Sequence, residues 1–480
     1  MNDFTSLHRR TFLARSGLSL GGAALTGLLA RDGLAATAAA ATAGRYPGAV
    51  HPLHHPPRAK SVIFLCLAGG PSHLETFDPK PKLAALDGTE MPPSIMAGQP
   101  IAQLQRQSKI LCLGPRTTFS RRGDSGTAIS DLFPRFGGLA DRFCVVRSMV
   151  TEQINHDPAH TFMNCGTALS GRPSMGAWVT YGLGSEADDL PGFVVMTSKL
   201  GRSPQPIAAR QWHSGFLPGQ FQGVEFATSG PPVHYVANPH GVSAAHQRDL
   251  VDTVAALENH RLRSLADPEI ATRLKQYELA FRMQTSVPQL ADLADETPET
   301  LALYGAEPGR ATVGTNCLMA RRLVERGVRF VHVYHSDWDH HGGLDGFLKE
   351  ICPPTDRAVS GLLTDLERRG LLDETLVVIG GEFGRTPMGQ GRGDQVGRDH
   401  HSKGFSMVLA GGGIKGGITH GETDDLGYHA VKDVVHVRDL HATMLHLLGI
   451  DHMRFTVEYQ GLDARLTGVE PARPVTAILA

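Results

Sequence analysis

Five short segments carry the residues able to do chemistry, and each adjoins an apolar run of the chain. His73, Glu75 and Asp78 follow the first run, and Asn155, His156, Asp157, His160 and Thr161 follow the second. His335, Asp337, Asp339, His340 and His341 follow the third, Glu382 and Arg385 follow the fourth, and Asp399, His400 and His401 precede the fifth. Histidine together with carboxylate, with no thiolate in the set, suits zinc, manganese or iron(II); carboxylates alone favour calcium or magnesium. A divalent ion in such a set activates water and neutralises charge in phosphoryl or sulfuryl transfer. Asp339 and His341, two residues apart, are the leading ligand pair. His156 and His160 share a face if that segment is helical, which Pro158 permits only in a first turn. Asp157 and Asp399 are candidates for orienting a histidine ring, and Arg385 for an ion pair with Glu382 or for binding substrate oxygens.

The elements that must position these groups are legible as runs. Ser61–Leu67 is continuously apolar and ends in Gly69-Gly70-Pro71. Similar runs cover 143–149, 328–334, 375–380 and 405–410, with helix-like stretches at 318–326 and 356–369. Uninterrupted apolar strands alternating with helices predict a parallel α/β sheet covered on both faces. In such sheets ligands bind beyond the carboxyl ends of the strands, which is where these segments would converge. Residues 186–310 differ: Pro- and Gly-rich loops lead to a helix starting at Asp267-Pro268, with Ile270, Leu274, Tyr277 and Phe281 along one face. This stretch reads as a mainly helical insertion.

Composition narrows the classes. The formal net charge is −2, and 20% of residues are charged, so a nucleic-acid partner held by phosphate neutralisation is excluded. A hydrophobic content of 41% is enough for a core. The six cysteines form no C-x-x-C pair, which removes a cysteine-based zinc knuckle, and Cys66 and Cys144 read as small hydrophobes inside strands. No G-x-S-x-G elbow or phosphate loop of the G-x-x-x-x-G-K type occurs. Histidine is over-supplied, with 24 residues.

The first residues read as an address. His8-Arg9-Arg10-Thr11-Phe12-Leu13 is similar to a twin-arginine export motif, followed by an apolar stretch to Ala30 and small residues to Ala43. Residues 1–43 are therefore expected to be a signal peptide, 44–59 a Pro- and His-rich linker, and 60–470 the folded domain carrying the 186–310 insertion. The expected location is periplasmic or secreted, with the twin-arginine machinery as export partner and no membrane span in the mature chain.

The segments Leu67–Pro81, Trp338–His341, Gly381–Pro387 and Gly397–His400 resemble domain-of-unknown-function family 1501, a bacterial, sulfatase-like family whose members typically carry twin-arginine signals. That family is similar to a branch of the alkaline phosphatase and sulfatase superfamily. The resemblance implies an alkaline-phosphatase-like fold, a doubly wound, mostly parallel α/β sheet with helices on both faces, with one or two divalent metals at the strand ends. It implies that Asp339, His341 and His400 bind one metal, with Glu382 where the superfamily usually has an Asp-His pair. The stretch Thr161–Arg172 resembles the sulfatase segment that begins at the nucleophile, which puts Thr161 at that position. The superfamily's acidic pair is Gly69-Gly70 here, the histidine beside Glu382 is Phe383, and no cysteine begins a C-x-P-x-R motif, so formylglycine chemistry is excluded. A second metal would draw on His73, Asp78, His156 or His160. The expectation is an exported hydrolase of phosphate or sulfate esters, on a small molecule or polysaccharide, using zinc or manganese, with calcium or magnesium as alternatives. Thr161, His160 and Arg385 are its candidate catalytic residues. The rival is an exported binding protein that keeps the fold without turnover.

Overall fold

A computed structural model describes residues 46, 48–96, 104, 109–199, 201, 205–233, 236–238, 240–265, 268–391 and 393–480. The expected signal peptide lies outside them, as does Asp267. The centre is a nine-stranded sheet. Its strands, with the hairpin that follows the sixth, are β1 Ser61–Leu67, β2 Phe143–Val150, β3 Phe193–Ser198, β4 Val224–Glu225, β5 Phe330–His335, β6 Thr375–Gly380, the hairpin strands β7 Gly384–Gln390 and β8 Gly397–His401, then β9 Phe405–Ala410, β10 Ile418–His420 and β11 Val435–His436. The order across the sheet is β10-β2-β9-β6-β1-β5-β3-β4, with β11 also pairing β2. β1 lies parallel between β5 and β6, with Cys66 opposite Tyr334 on one side and Gly380 on the other. Every residue of β1 is buried, as expected for a parallel strand covered on both faces.

Alternation along β1 divides the core. Ile63, Leu65 and Leu67 pack with α6 Val313–Glu325 and α7 Leu344–Arg368 on one face. Val62, Phe64 and Cys66 pack on the other with α1 His156–Cys165, α2 Met175–Leu183 and α8 Val437–Leu447. The remaining longer helices are α3 Ala244–Leu265, α4 Pro268–Ala291 and α5 Pro298–Tyr304.

The structure departs from the sequence reading in five places. β9 is antiparallel to both β2 and β6, not parallel like the other runs. The β7–β8 hairpin reverses the chain, so β9 starts where its neighbours end. Its N-terminal flank, with His400, therefore reaches the same carboxyl edge. Residues 186–310 are not all helix: Phe193–Ser198 joins the sheet beside β5, because FVVMTS is a short buried strand. Within α4, Ile270 is buried as expected, but Tyr277 is exposed, and Met283, Val287 and Leu290 are buried further along the helix. The 44–59 stretch runs as a strap on the domain: Val50 N donates to the Gly182 carbonyl at 3.0 Å, and Arg58 N to the Leu447 carbonyl at 2.7 Å. Packing also continues past residue 470, where Ala480 N donates to the Gly413 carbonyl at 2.8 Å. No helix among the described residues is long and apolar enough to cross a membrane.

Candidate metal centre

Three segments meet at the carboxyl edge of the sheet. α1 begins at His156, so Pro158 sits in the first turn, where its missing N–H leaves no bond unmade. His156 and His160 then point the same way, one turn apart. After β5 the chain turns through Asp337, whose φ of 80° is left-handed, and Trp338 N donates to the Ala68 carbonyl at 3.1 Å. That turn delivers Asp339 and His341. The hairpin strand β8 delivers His400.

The ligand atoms of His156, Asp339, His341 and His400 lie within 4.8 Å of one another. His341 Nε2 is 3.0 Å and His400 Nε2 is 3.3 Å from Asp339 Oδ1, and His156 Nε2 is 3.3 Å from Asp339 Oδ2. Donor atoms about 2.0–2.1 Å from a tetrahedral ion stand about 3.3 Å apart, so the spacing fits one ion.

The tautomers strengthen this fit. His400 Nδ1 faces the Ile154 carbonyl at 2.7 Å, and a carbonyl only accepts, so Nδ1 carries the proton and Nε2 the lone pair. His341 Nδ1 faces Gln390 Oε1 at 2.6 Å with the same consequence. His156 Nδ1 donates to Glu382 Oε1 at 2.6 Å, and its Nε2 makes no hydrogen bond. The Nε2 atoms of three imidazoles and one carboxylate thus meet at a common point, and the Nε2 atoms of His341 and His400 are 2.8 Å apart, a hydrogen-bond distance that one shared proton satisfies. A metal ion bound here would replace the proton between those two nitrogens. Each ring is held from behind by an oxygen, the arrangement that orients histidine ligands.

Burial and charge set the protonation states. Burial, with Arg385 and the neighbouring rings, pushes His400 down to about 4, so it is neutral at pH 7. Burial opposes ionisation of Asp339, yet His156, His341, His400 and Arg385 hold it well below the usual carboxylate range. Glu382 is fully buried, but His160 and His156 hold it at about 2. Burial pulls His156 down, but Asp339 and Glu382 win and raise it to about 9. The two carboxylates thus favour positive charge at this spot.

The other expected residues fall elsewhere. Glu382 is not in the four-residue set; it receives His156 Nδ1 and the Gly69 N–H at 3.1 Å. His160 is fully buried, with Nε2 3.4 Å from Glu382 Oε1. His73 Nε2 is spent on the Gly427 carbonyl at 2.8 Å, and Asp78 pairs with Lys80 at 3.0 Å and accepts from Thr423. Neither joins the cluster. Thr161 donates its hydroxyl to the Asp157 carbonyl at 2.9 Å, within its own helix. Asp157 pairs with Arg210, and Asp399 accepts from the His400 backbone N–H at 2.9 Å, so neither orients a ring through these contacts.

Arg385 differs most from expectation. It is 1% exposed and does not pair with Glu382. Nε donates to the Gly70 carbonyl at 2.9 Å, Nη1 to the Arg398 carbonyl at 3.0 Å, and Nη2 to the Gly69 carbonyl and to Asp339 Oδ1. The guanidinium is a clamp on Asp339, with its reach spent on protein oxygens. Sequence reasoning missed Gln390 and Ile154, which fix two of the rings; a neutral amide and a backbone carbonyl leave no recognisable signal.

A family model described as "Protein of unknown function (DUF1501)" matches residues 59–479. No curated protein matches the chain. Solved structures similar to it include the PsFucS1 sulfatase from Pseudoalteromonas sp., at 12% identity over 82% of this chain and 68% of that one, with a TM-score of 0.34. The lipoteichoic acid synthase LtaP from Listeria monocytogenes is 11% identical over 87% of this chain and 76% of that one, with a TM-score of 0.35. The alkaline phosphatase from the Antarctic bacterium TAB5 is 11% identical over 76% of this chain and 95% of that one, with a TM-score of 0.29.

Proposed function

The chain belongs to the DUF1501 family of proteins of unknown function, and from its site we propose that it is an exported, metal-dependent hydrolase of phosphate or sulfate esters. The observation that carries this reading is the convergence of His156, Asp339, His341 and His400, with each ring's Nε2 directed inward and its Nδ1 held by an oxygen. Zinc or manganese suits three imidazoles and one carboxylate. Such an ion supplies a Lewis acid and lowers the pKa of a bound water. Export rests on the twin-arginine-like start at Arg9-Arg10.

The protein's own groups have distinct tasks. Glu382, Gln390 and the Ile154 carbonyl fix the three rings. Arg385 fixes Asp339 and offsets its charge. With the rings giving up their Nε2 protons on binding, a dication beside one carboxylate would leave the site net positive, which attracts an anionic ester. His400 is buried at the back of the cluster, while the side chains of His156 and His341 are 14% and 24% exposed, so substrate approaches from their side. Arg210, exposed and paired with Asp157, the chain neighbour of His156, is a cation on that side and is assigned the oxygen-binding role expected of Arg385. Water is the nucleophile in this reading, since the Thr161 hydroxyl is engaged in its helix.

Metal analysis of the mature protein and a panel of phosphate and sulfate esters test the proposal, with His400→Ala as control. Metal-dependent turnover that disappears in the variant is expected. A preparation that neither takes up metal nor hydrolyses any ester overturns it. A binding-only protein is the second reading, favoured by Phe383, whose ring packs 5.0 Å from His156 and 4.6 Å from His400 where relatives carry a ligand. Metal uptake with no turnover on any ester is its signature.

A further inference from the structure

Behind the four-residue cluster lies a second group, of which only Glu382 has a role in the reading above, as the acceptor for His156. Cys66 at the end of β1, His160 on α1 and Glu382 after β6 bring their ligand atoms within 4.8 Å of one another. All three residues are at most 1% exposed. We propose that Cys66, His160 and Glu382 form a second, buried metal position that takes a thiophilic divalent ion, with zinc the best match.

The surrounding polar atoms are what require an occupant. Both ring nitrogens of His160 lack a hydrogen bond, as do both of His332 and the Asn164 side-chain oxygen. These groups form one neighbourhood. The His332 and Tyr334 rings are 4.0 Å apart, His160 and Tyr334 are 6.1 Å apart, and Asn164 donates to the Tyr334 hydroxyl at 3.0 Å. Cys66 lies opposite Tyr334 on the adjacent strand. Buried polar atoms are nearly always satisfied, so five orphans beside a thiol and a carboxylate mark a site for an ion and its water, not a dry core.

The donor chemistry selects the ion. A thiol, an imidazole and a carboxylate from three separate elements match the sulfur, nitrogen and oxygen ligands of zinc, and thiolate disfavours calcium and magnesium. Three protein ligands leave one position for water. On binding, the Cys66 S–H bond breaks, the sulfur keeps the electron pair for the ion, and the proton leaves to solvent. Glu382 Oε1 also receives His156 Nδ1, so the same carboxylate would join both positions.

Cobalt(II) added to the metal-depleted full chain tests this without any activity measurement. Two equivalents are expected, one of them giving a thiolate-to-cobalt charge-transfer band in the near ultraviolet. Cys66→Ser should lose that band and one equivalent, while keeping the visible bands of the cobalt held by His156, Asp339, His341 and His400, which also report that the variant is folded. Cys66→Ala serves if the serine variant does not fold. A single equivalent without the band, or a band that survives in a folded variant, overturns the second position and leaves the hydrolase reading standing. No binding of cobalt at all removes both.

Discussion

The Nε2 atoms of His341 and His400 face each other across 2.8 Å while the Nδ1 of each ring donates to an oxygen behind it. Two ring nitrogens so placed either share a proton or hold a metal ion between them. The oxygens behind the rings therefore matter as much as the rings.

Gln390 is the testable one of these supports, because Ile154 contributes only its backbone. Gln390→Ala frees the His341 ring and should weaken metal affinity about 10–100-fold, the usual cost of losing a group behind a metal ligand. Competition against a chromophoric chelator measures it. Unchanged affinity would mean that His341 does not bind the ion.

Gly69 explains why an acidic pair cannot occupy this loop. Its φ is +123°, and a Cβ there would stand 2.4 Å from Asp339 N and 2.6 Å from the Trp338 carbonyl carbon. Gly69→Ala should cost roughly 1–3 kcal/mol from backbone conformation alone, before the steric contact is counted. It should also displace Asp339 and lower metal affinity. Denaturant unfolding and metal titration together check this, and a variant as stable as the parent refutes it.

Arg385→Lys should fail although charge is conserved. A lysine cannot span the Gly69, Gly70 and Arg398 carbonyls and Asp339 at once. Breaking a buried ion pair costs about 3–5 kcal/mol, and the same change should reduce metal binding. If Arg385 touched substrate instead, the variant would keep its stability and metal and show only a raised KM.

Arg210→Ala should leave the fold intact, since its pair with Asp157 is on the surface and worth about 0–1 kcal/mol. KM for an anionic ester should rise about tenfold or more, the scale of one charge-assisted hydrogen bond. Steady-state kinetics on the best ester of the panel decides it. An unchanged KM assigns substrate binding to another group.

Acid should unfold the protein through its buried histidines. Burial pushes His335 and His441 each down to about 4. The unfolded chain binds these protons near pH 6.5, so it holds more protons than the folded state between pH 6.5 and 4. Their contribution is complete above pH 6.5 and falls as pH drops through that window. Urea unfolding at a series of pH values should show stability declining from pH 6.5 toward 4. His441→Gln should flatten the slope. A flat profile down to pH 4 contradicts the burial of these rings.

Much of this arrangement was legible because strand periodicity and sheet topology are local and general. A continuous apolar run must be covered on both faces, and the loop leaving its C-terminal end lands at the carboxyl edge of the sheet. That rule puts Asp339 and His341 at the edge where the structure has them. His400 reaches the same edge for a reason the sequence does not disclose, because β9 runs antiparallel after a hairpin. His156 was grouped with His160 by helical spacing, yet one faces the four-residue cluster and the other the buried group with Cys66. Spacing puts two side chains on one helix face and cannot say which of two adjacent sites each one enters.

Sequence alone determined the elements, the residue types available for a metal, and the absence of thiolate from the polar segments that flank the strands. It could not decide roles that depend on which atom meets which. Arg385 became a clamp because the Gly69 and Gly70 carbonyls happen to lie within reach of its fork. His73 and Asp78 were drawn to Gly427 and Lys80. Cys66 looked like any buried hydrophobe in its strand and acquired neighbours of another kind only when α1 packed over it. Pattern carries burial, since burial repeats along a chain. Coordination depends on directed lone pairs from distant segments, and only the folded chain brings those to a point.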